Sequence, residues 1–258
     1  MTDHIYLTIL IPAFNESKRL PETLKRIQDY CLSSFQETYE ILVIDDGSTD
    51  QTDQLVREMQ AQNPYLKVHR LSQNRGKGYA LRTGMRLATG RFILFMDADL
   101  STPIEEIEHF LPAFNEGAQV VIASRKSAGA NITRRQPLLR ESMGKTFTWL
   151  SNKLLGLHFS DLTCGFKAFE SAAGKDLFAN QKIDGWAYDS EILFLAVRRR
   201  YTVREVPVTW VHSADTRVRL LRDVFSSLNG LLQIRWNWMT GKYSMEKSRE
   251  SGRIPADV

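Results

Sequence analysis

The stretch RFILFMDADL, residues 91–100, joins a short apolar run to two aspartates. An apolar run of this length is typical of a strand that is buried on both faces, as in a parallel sheet. Asp97 and Asp99 follow this run at alternate positions, and alternate side chains of an extended chain point to the same side. The stretch therefore predicts a buried strand that carries two carboxylates together at its carboxyl end.

Short runs rich in β-branched residues alternate with helical periodicity on both sides of this stretch, from residue 6 to residue 124. This alternation is typical of a mostly parallel, Rossmann-like α/β sheet flanked by helices. The predicted strands are Tyr6–Pro12, Glu40–Asp45, Leu66–Leu71, Arg91–Met96 and Gln119–Ala123. The predicted helices are Asp50–Gln62, Gly78–Ala88, Pro103–Asn115 and one that carries the apolar stripe Leu20, Leu24, Ile27 and Cys31.

The pattern changes after Ser124, where residues 129–136 are polar and basic and predict a loop. The elements expected beyond it are a helix with Leu139, Met143, Phe147, Leu150 and Leu154 on one face, the strand Thr163–Phe169, the helix Asp184–Arg199 and the strand Thr202–Trp210, with Pro207 favouring a sheet edge. With 258 residues and 43% hydrophobic content, the chain suits one large domain, expected over residues 1–212. Residues 213–258 are expected to add a basic amphipathic helix, at 217–239, and a polar tail.

The composition leaves several classes of ligand open. A net charge of +4 fits nucleic acid, anionic lipid or phosphorylated substrates without choosing among them. The two cysteines, Cys31 and Cys164, lack the spacing of a zinc site or a disulfide framework, which favours a cytoplasmic setting. We expect no signal peptide and no membrane span, because no run approaches the roughly 18 apolar residues that a span needs. Action on a lipid would then take place from the membrane surface.

Polar motifs follow three of the predicted strands, at the edge where α/β sheets bind ligands. They are IPAFNE at 11–16, DDGS at 45–48 and DAD at 97–99. Asp97 and Asp99 would repel each other, and Mg²⁺ or Mn²⁺ relieves such repulsion while taking its other ligands from water and phosphates. Each motif alone also suits a turn or a helix cap, and only their joint occurrence favours a site.

With these motifs in this order, residues 6–212 resemble the family-2 glycosyltransferases of the GT-A fold. The resemblance implies that Asp97 and Asp99 bind the ribose, the diphosphate and the metal of a nucleotide sugar. It also implies that the segment Arg75-Gly76-Lys77-Gly78 approaches the donor, although Lys77 equally suits a solvated helix start. The other residues implied for the nucleotide-sugar site are Pro12, Asn15, Glu16, Asp46 and Lys167.

A basic cluster follows the acidic motifs and bears on the acceptor. A hydroxyl acceptor needs a general base, whereas a phosphate monoester, with its second pKa near ~6, is already a nucleophilic dianion at pH 7. A phosphate acceptor needs cations instead, and guanidinium groups can bind it through two hydrogen bonds. The candidates are Arg125, Arg134, Arg135 and Arg140, each of which alone would suit a solvated loop.

The second half resembles one branch of the family, the dolichyl-phosphate β-glucosyltransferases, which are close to the polyprenyl-phosphate mannose synthases. The motifs that carry the resemblance are Ser124-Arg125, Arg140 with Met143-Gly144, DLTCGFK at 161–167, GWAYDSE at 185–191, EVPV at 205–208 and Trp210. The resemblance implies that Arg125 and Arg140 hold the lipid phosphate and that Asp161, Lys167 and Asp189 line the reaction centre. Leu162-Thr163 stands where family members often have Thr-Gln.

The expected activity is inverting transfer of a hexose to a polyprenyl or dolichyl phosphate, with Asp99, Asp161 and Asp189 as catalytic residues and Mg²⁺ or Mn²⁺ as cofactor. UDP-glucose is the favoured donor, and GDP-mannose is possible. The expected location is the cytoplasmic face of a membrane, held peripherally by the 217–239 helix and the face around Phe147, Trp149 and Leu150. Both surfaces also suit core packing or a homo-oligomer contact.

Two other functions stay open on the sequence. One is transfer to a saccharide hydroxyl with Asp189 as the base, although Asp189 also suits a helix cap. The other is a non-catalytic basic module for membrane or nucleic acid, whereas for the enzyme we expect no nucleic-acid partner. A processive synthase is disfavoured, because residues 233–236 read QIRW and lack the Q-x-x-R-W spacing.

Overall fold

The computed structural model describes residues 4–134, 137–212 and 220–243. A seven-stranded sheet in the order β3-β2-β1-β4-β7-β5-β8 forms its centre. The strands are β1 (Leu7–Ala13), β2 (Tyr39–Asp45), β3 (Leu66–Arg70), β4 (Phe92–Met96), β5 (Val120–Ser124), β6 (Asn131–Arg134), β7 (Phe166–Glu170), β8 (Val203–Pro207) and β9 (Thr209–Val211). The helices are α1 (Leu20–Ser33), α2 (Thr52–Gln60), α3 (Lys77–Leu87), α4 (Ile107–Asn115), α5 (Leu138–Leu155), α6 (Ser171–Asn180), α7 (Tyr188–Arg198) and α8 (Leu220–Met239), with a 3-10 turn at Ile104–Glu106.

The central sheet is mostly parallel, as the sequence predicts. Strand β1 runs parallel to β2 on one side and to β4 on the other, and β8 runs parallel to β5. Strand β7 is the exception, because it runs antiparallel between β4 and β5. All residues of β2, β4 and β5 are buried, which explains their largely apolar sequences; the exceptions in β2 are the buried Glu40 and Asp45.

Helices cover both faces of the sheet and divide the core into two clusters. Leu94 and Met96 of β4 point to the cluster that includes α1 and α4. Ile93 and Phe95 of the same strand point to the cluster that includes α3, α6 and α7. Leu231 and Ile234 of α8 join this second cluster together with Tyr243, so the C-terminal part of α8 packs on the main α/β core.

Three expectations differ from the structure. Residues 131–134, expected in a loop, form strand β6, which pairs with β9 in a second sheet of two strands. The strand expected over Thr202–Trp210 is two strands, β8 in the main sheet and β9 in the small one. The break follows Pro207, which cannot donate a backbone hydrogen bond and lies on the edge strand β8, in line with the expected sheet edge.

The third difference is helix α6, which was not predicted. Ala173, Leu177 and Phe178 are buried on its inner side, so the signal was present but short. The helix expected from Asp184 begins later, at Tyr188, after a turn. Residues 217–219 of the expected C-terminal helix lie outside the described ranges. No helix within the described ranges is long and apolar enough to cross a bilayer.

Candidate active site

The carboxyl ends of β1, β2 and β4 meet at one edge of the sheet. Strand β1 connects through α1 to β2 on one side and pairs with β4 on the other, so the chain order reverses at β1. In open α/β sheets, ligands bind in the crevice at such a reversal. The crevice is bordered by the carboxylates that follow β2 and β4, here called the acidic rim: Asp46, Asp97 and Asp99.

Asp46 ties the rim to the start of α3. Its buried carboxylate accepts hydrogen bonds from the backbone N–H groups of Arg75 and Gly76, both at 2.8 Å, and from the amide of Asn74 at 2.9 Å. Burial raises the pKa of Asp46 above the usual aspartate value, against the lowering effect of these backbone donors. Asp46 of the DDGS motif therefore fixes residues 74–76, the loop that directly precedes Lys77.

Asp97 is paired with Lys77. The Lys77 Nζ lies 2.5 Å from Oδ1 of Asp97. Burial alone would lower the pKa of Lys77, but the negative charges of Asp97, Asp189 and Asp99 raise it above the usual lysine value. Lys77, the first residue of α3, is therefore a mostly buried cation paired with Asp97, and its contact with the donor stays a prediction.

Gly165 of the DLTCGFK motif leaves room for this carboxylate. A Cβ at Gly165 would overlap the side chain of Asp97, and the Gly165 carbonyl accepts the Asp97 backbone N–H at 3.1 Å. Asp99, the second carboxylate of the motif, accepts the backbone N–H of Ser101 at 3.0 Å. Asp97 and Asp99 are both partly exposed and so can take a ligand.

Lys167 and Asp189 form a second ion pair in the same region. Strand β7 runs antiparallel beside β4, which places Lys167 opposite Phe95. The Lys167 Nζ lies 2.5 Å from Oδ1 of Asp189 and donates to the Cys164 carbonyl at 2.7 Å. Both side chains are almost fully buried, so the Asp189 carboxylate is held in place by a buried cation.

Arg125 and Asp161 form a third pair, next to the carboxyl end of β5. The guanidinium binds the carboxylate through two hydrogen bonds of 2.6 and 2.8 Å, and its Nη2 also donates to Thr163 at 2.9 Å. Asp161 is completely buried. Burial would raise the pKa of Asp161, but the adjacent Arg125 holds it well below the usual aspartate range. Each partner thus neutralises the other.

The loop after β1 contacts the DDGSTD segment. The side-chain oxygen of Asn15 accepts the Thr49 backbone N–H at 2.7 Å, and Glu16 pairs with Arg19 at 2.7 Å. Pro12 lies within β1, next to Ile44 of β2. These contacts position the loop at the rim, and the nucleotide-binding roles of Pro12, Asn15 and Glu16 stay predictions.

The other basic candidates differ in what the structure describes. Arg134 is exposed on β6. Arg135 lies outside the described residues, and Arg140 belongs to α5 without a described side chain. Lys126 was not predicted as a site residue, although it follows Arg125 directly. Its Nζ donates to Thr148 at 3.0 Å, and burial lowers its pKa.

The donor set suits a metal bound together with a substrate. The described residues contain no group of three His, Cys, Asp or Glu side chains that could hold a metal ion alone. Asp97 and Asp99 offer partly exposed carboxylate oxygens, and Mg²⁺ or Mn²⁺ in such sites takes further ligands from phosphates and water. The carboxylates present therefore suit a divalent cation that is bound together with a nucleoside diphosphate, and the assignment of Asp97 and Asp99 as its ligands stays a prediction.

A sheet of this topology with acidic residues at its reversal point is the arrangement expected of a GT-A glycosyltransferase, and the family match gives the class. The chain belongs to glycosyl transferase family 2, whose family model matches residues 8–178. The family resemblance and the fold class predicted from the sequence are thereby confirmed.

Curated relatives match almost the whole chain. A dolichyl-phosphate beta-glucosyltransferase of Trichomonas vaginalis is 32% identical over 96% of this chain and 76% of its own length. The dolichyl-phosphate beta-glucosyltransferases of Saccharomyces cerevisiae and Homo sapiens are 29% and 28% identical, each over 95% of this chain and over 78% and 79% of their own lengths.

Solved structures share the fold. Glucosyl-3-phosphoglycerate synthase from Mycobacterium tuberculosis, solved with Mn²⁺, UDP-glucose and phosphoglyceric acid, superposes with a TM-score of 0.66 at 20% identity, over 89% of this chain and 79% of that one. Mannosyl-3-phosphoglycerate synthase from Rubrobacter xylanophilus gives 0.67 at 17% identity, over 96% of this chain and 79% of that one. At these identities the likeness supports the fold alone.

Proposed function

We propose that this protein transfers glucose from UDP-glucose to dolichyl or another polyprenyl phosphate and inverts the anomeric configuration. The observation that carries the proposal is the alignment of relatives named dolichyl-phosphate beta-glucosyltransferases with 95–96% of the chain. The ion pairs Lys167–Asp189 and Arg125–Asp161 add support. A hydroxyl acceptor would need a carboxylate as its base, and these two carboxylates are bound to cations.

The donor half of the site is the acidic rim with Lys77. Asp97 and Asp99 would hold Mg²⁺ or Mn²⁺, which when bound would neutralise the nucleoside diphosphate leaving group. Lys77 is charged and lies 2.5 Å from Asp97, so its ammonium can turn to the diphosphate. Asp46, Asn15, Glu16 and Pro12 would border the nucleoside.

The chemistry is a single displacement. An oxygen of the acceptor phosphate attacks C1 of the sugar, the bond from C1 to the diphosphate breaks, and its electron pair leaves with UDP. A phosphate dianion needs no base at pH 7. Asp189 is bound to Lys167 and Asp161 to Arg125, which suits orientation and charge balance better than proton transfer. Transfer to a saccharide hydroxyl is therefore disfavoured.

The acceptor phosphate would lie on the basic side of the site. Arg125 would contact this phosphate. Its two hydrogen bonds to Asp161 hold the guanidinium at the end of β5. Arg134, Arg135 and Arg140 are the further candidates, and they follow Arg125 within the same segment. Proximity and charge neutralisation would supply most of the acceleration.

We also propose that α8 lies on the cytoplasmic face of a membrane. Leu232, Trp236 and Met239 are 60%, 60% and 68% exposed and border one shallow groove along the helix with Arg235. Exposed aromatic and apolar side chains beside cations are typical of helices that lie in the membrane interface. The acceptor named for the relatives is a lipid, which makes the membrane the preferred occupant over a second copy of this chain.

The experiment compares acceptors that differ only in the phosphate. The purified protein with UDP-glucose and Mn²⁺ receives dolichyl phosphate, dolichol or a soluble saccharide, and released UDP is measured. We expect UDP release with dolichyl phosphate alone. Equal release with dolichol or with the saccharide would contradict a phosphate acceptor, and unchanged rates after chelation of the metal would contradict the metal assignment.

A further inference from the structure

Helix α8 touches the turn that precedes α7. Gly230 lies on the buried side of α8, and a Cβ there would overlap the Cβ of Ala187. Ala187 is itself 2% exposed. Glycine is unfavourable within a helix, so its presence at the point of closest approach indicates that the contact depends on it.

A second contact joins the end of α8 to α7. The hydroxyl of Tyr243 donates to Oε1 of Glu191 at 2.6 Å. Glu191 is fully buried and also accepts the backbone N–H groups of Lys182 and Ile183, both at 2.9 Å. Residues 182–187 are thus held at one end by Glu191 and at the other by the close packing of Gly230.

This same segment encloses Lys77. The Asp184 carbonyl accepts the Gly78 backbone N–H at 2.8 Å, which fixes the first turn of α3. The rings of Trp186 and Tyr188 have their centroids 5.9 and 5.7 Å from the Lys77 Nζ. A shift of the segment would therefore move Lys77 relative to Asp97. Asp189, the residue after Tyr188, would move with the segment, whereas the Arg125–Asp161 pair lies on other elements.

We propose that α8 is a positioning element of the donor site, with Gly230 and Tyr243 as positioning residues that act through residues 182–188 on Lys77. The inference rests on the proposed function, in which Lys77 binds the donor diphosphate. Its consequence is selective: disturbing these contacts weakens the binding of the nucleotide sugar and leaves the binding of the lipid phosphate unchanged.

The test is a pair of compensating substitutions. Gly230→Ala adds a methyl that overlaps Ala187, and we expect the KM for UDP-glucose to rise roughly three- to tenfold with an unchanged KM for dolichyl phosphate. Ala187→Gly in the same chain removes the overlap and should restore the donor KM. Ser226→Ala, at an exposed position of α8 outside the groove, is the matched control and should leave both constants unchanged.

Two further measurements keep the outcomes separate. Calorimetric titration of the protein with UDP in the presence of Mn²⁺ measures donor binding without turnover. A wild-type protein that binds UDP but transfers no glucose to dolichyl phosphate would contradict the proposed acceptor and would leave this inference standing. Thermal unfolding reports whether the Gly230→Ala protein folds. If it does not fold, the same measurements are made on Tyr243→Phe, which removes only a hydroxyl. An unchanged UDP affinity in the folded variant, equal changes in both KM values, or no restoration by Ala187→Gly would overturn the proposal.

Discussion

The donor and acceptor halves of the site use charge in different ways. In the donor half, Asp97 and Asp99 are partly exposed at the end of β4, and Lys77 is the counter-charge. In the acceptor half, Asp161 is completely buried and binds Arg125 through two hydrogen bonds. In the proposed function, the partly exposed carboxylates of the donor half would bind ligands directly, whereas the buried Asp161–Arg125 pair would hold the structure that presents the ligand contacts.

The largest effect is expected in the donor half. Asp97→Ala removes a carboxylate that would hold the metal at the leaving diphosphate in the proposed function, so turnover should fall by about 10²–10³-fold, as for other single groups that stabilise a transition-state charge. The measurement is the initial rate of UDP release with saturating Mn²⁺ and dolichyl phosphate. Asp29→Asn, an exposed carboxylate on α1, is the control and should not change the rate. Turnover near the wild-type rate in Asp97→Ala would contradict a direct role of the donor-half carboxylates in ligand binding.

A stability effect of similar size is expected in the acceptor half. Asp161→Asn leaves Arg125 without its buried counter-charge, and breaking such a pair costs about 3–5 kcal/mol. Urea unfolding followed by tryptophan fluorescence measures this free energy, and Asp97→Asn, at a partly exposed carboxylate, should change it far less. Equal stability of the Asp161→Asn and wild-type proteins would mean that this pair does not support the structure.

The pH dependence of stability should also report the contribution of the Asp161–Arg125 pair. Because Arg125 lowers the pKa of Asp161 in the folded state, the pair stabilises the protein above the unfolded aspartate pKa of about 3.9. That contribution is lost as pH falls below this value towards the lowered folded pKa. Urea midpoints between pH 5 and pH 3 should therefore fall less steeply in Asp161→Asn than in the wild type. Parallel curves would contradict the assignment.

The smallest effect is expected on the surface of α8. Trp236→Ala removes one exposed ring from the groove, and co-sedimentation with vesicles that contain anionic lipid should weaken several-fold. Turnover with a detergent-dispersed acceptor should stay the same. A loss of dimer in light scattering, with unchanged vesicle binding, would instead assign the groove to a second copy of this chain.

The donor half could be predicted because its residues stand in contiguous motifs that follow parallel strands. The alternation of strands and helices predicts a mostly parallel sheet, and parallel strands bring IPAFNE, DDGS and DAD to the same edge, whereas the antiparallel placement of β7 between β4 and β5 was not predicted. The partners of these residues could not be predicted in the same way. Lys77 and Asp97, or Lys167 and Asp189, are brought together by tertiary packing and not by any local spacing.

The errors in the fold have local causes. All four residues of strand β6 are exposed, so it lacks the alternation by which strands are recognised, and only its pairing with β9 defines it. Helix α6 is short and contains Gly174, which weakens a helical signal. By contrast, the close contact of Gly230 with Ala187 could not be predicted for a non-local reason. The two residues are far apart in the chain, and a single glycine in a helix does not reveal its partner.

The most direct test of the account is the identity of the lipid product. The protein is incubated with dolichyl phosphate and Mn²⁺, and with UDP-glucose or GDP-mannose in turn, and the extracted lipid is analysed by mass spectrometry and by NMR of the anomeric proton. We predict that one hexose is added to the phosphate, in the β configuration, from UDP-glucose alone. A product from GDP-mannose alone, an α-linked product, or no lipid product with either donor would contradict it.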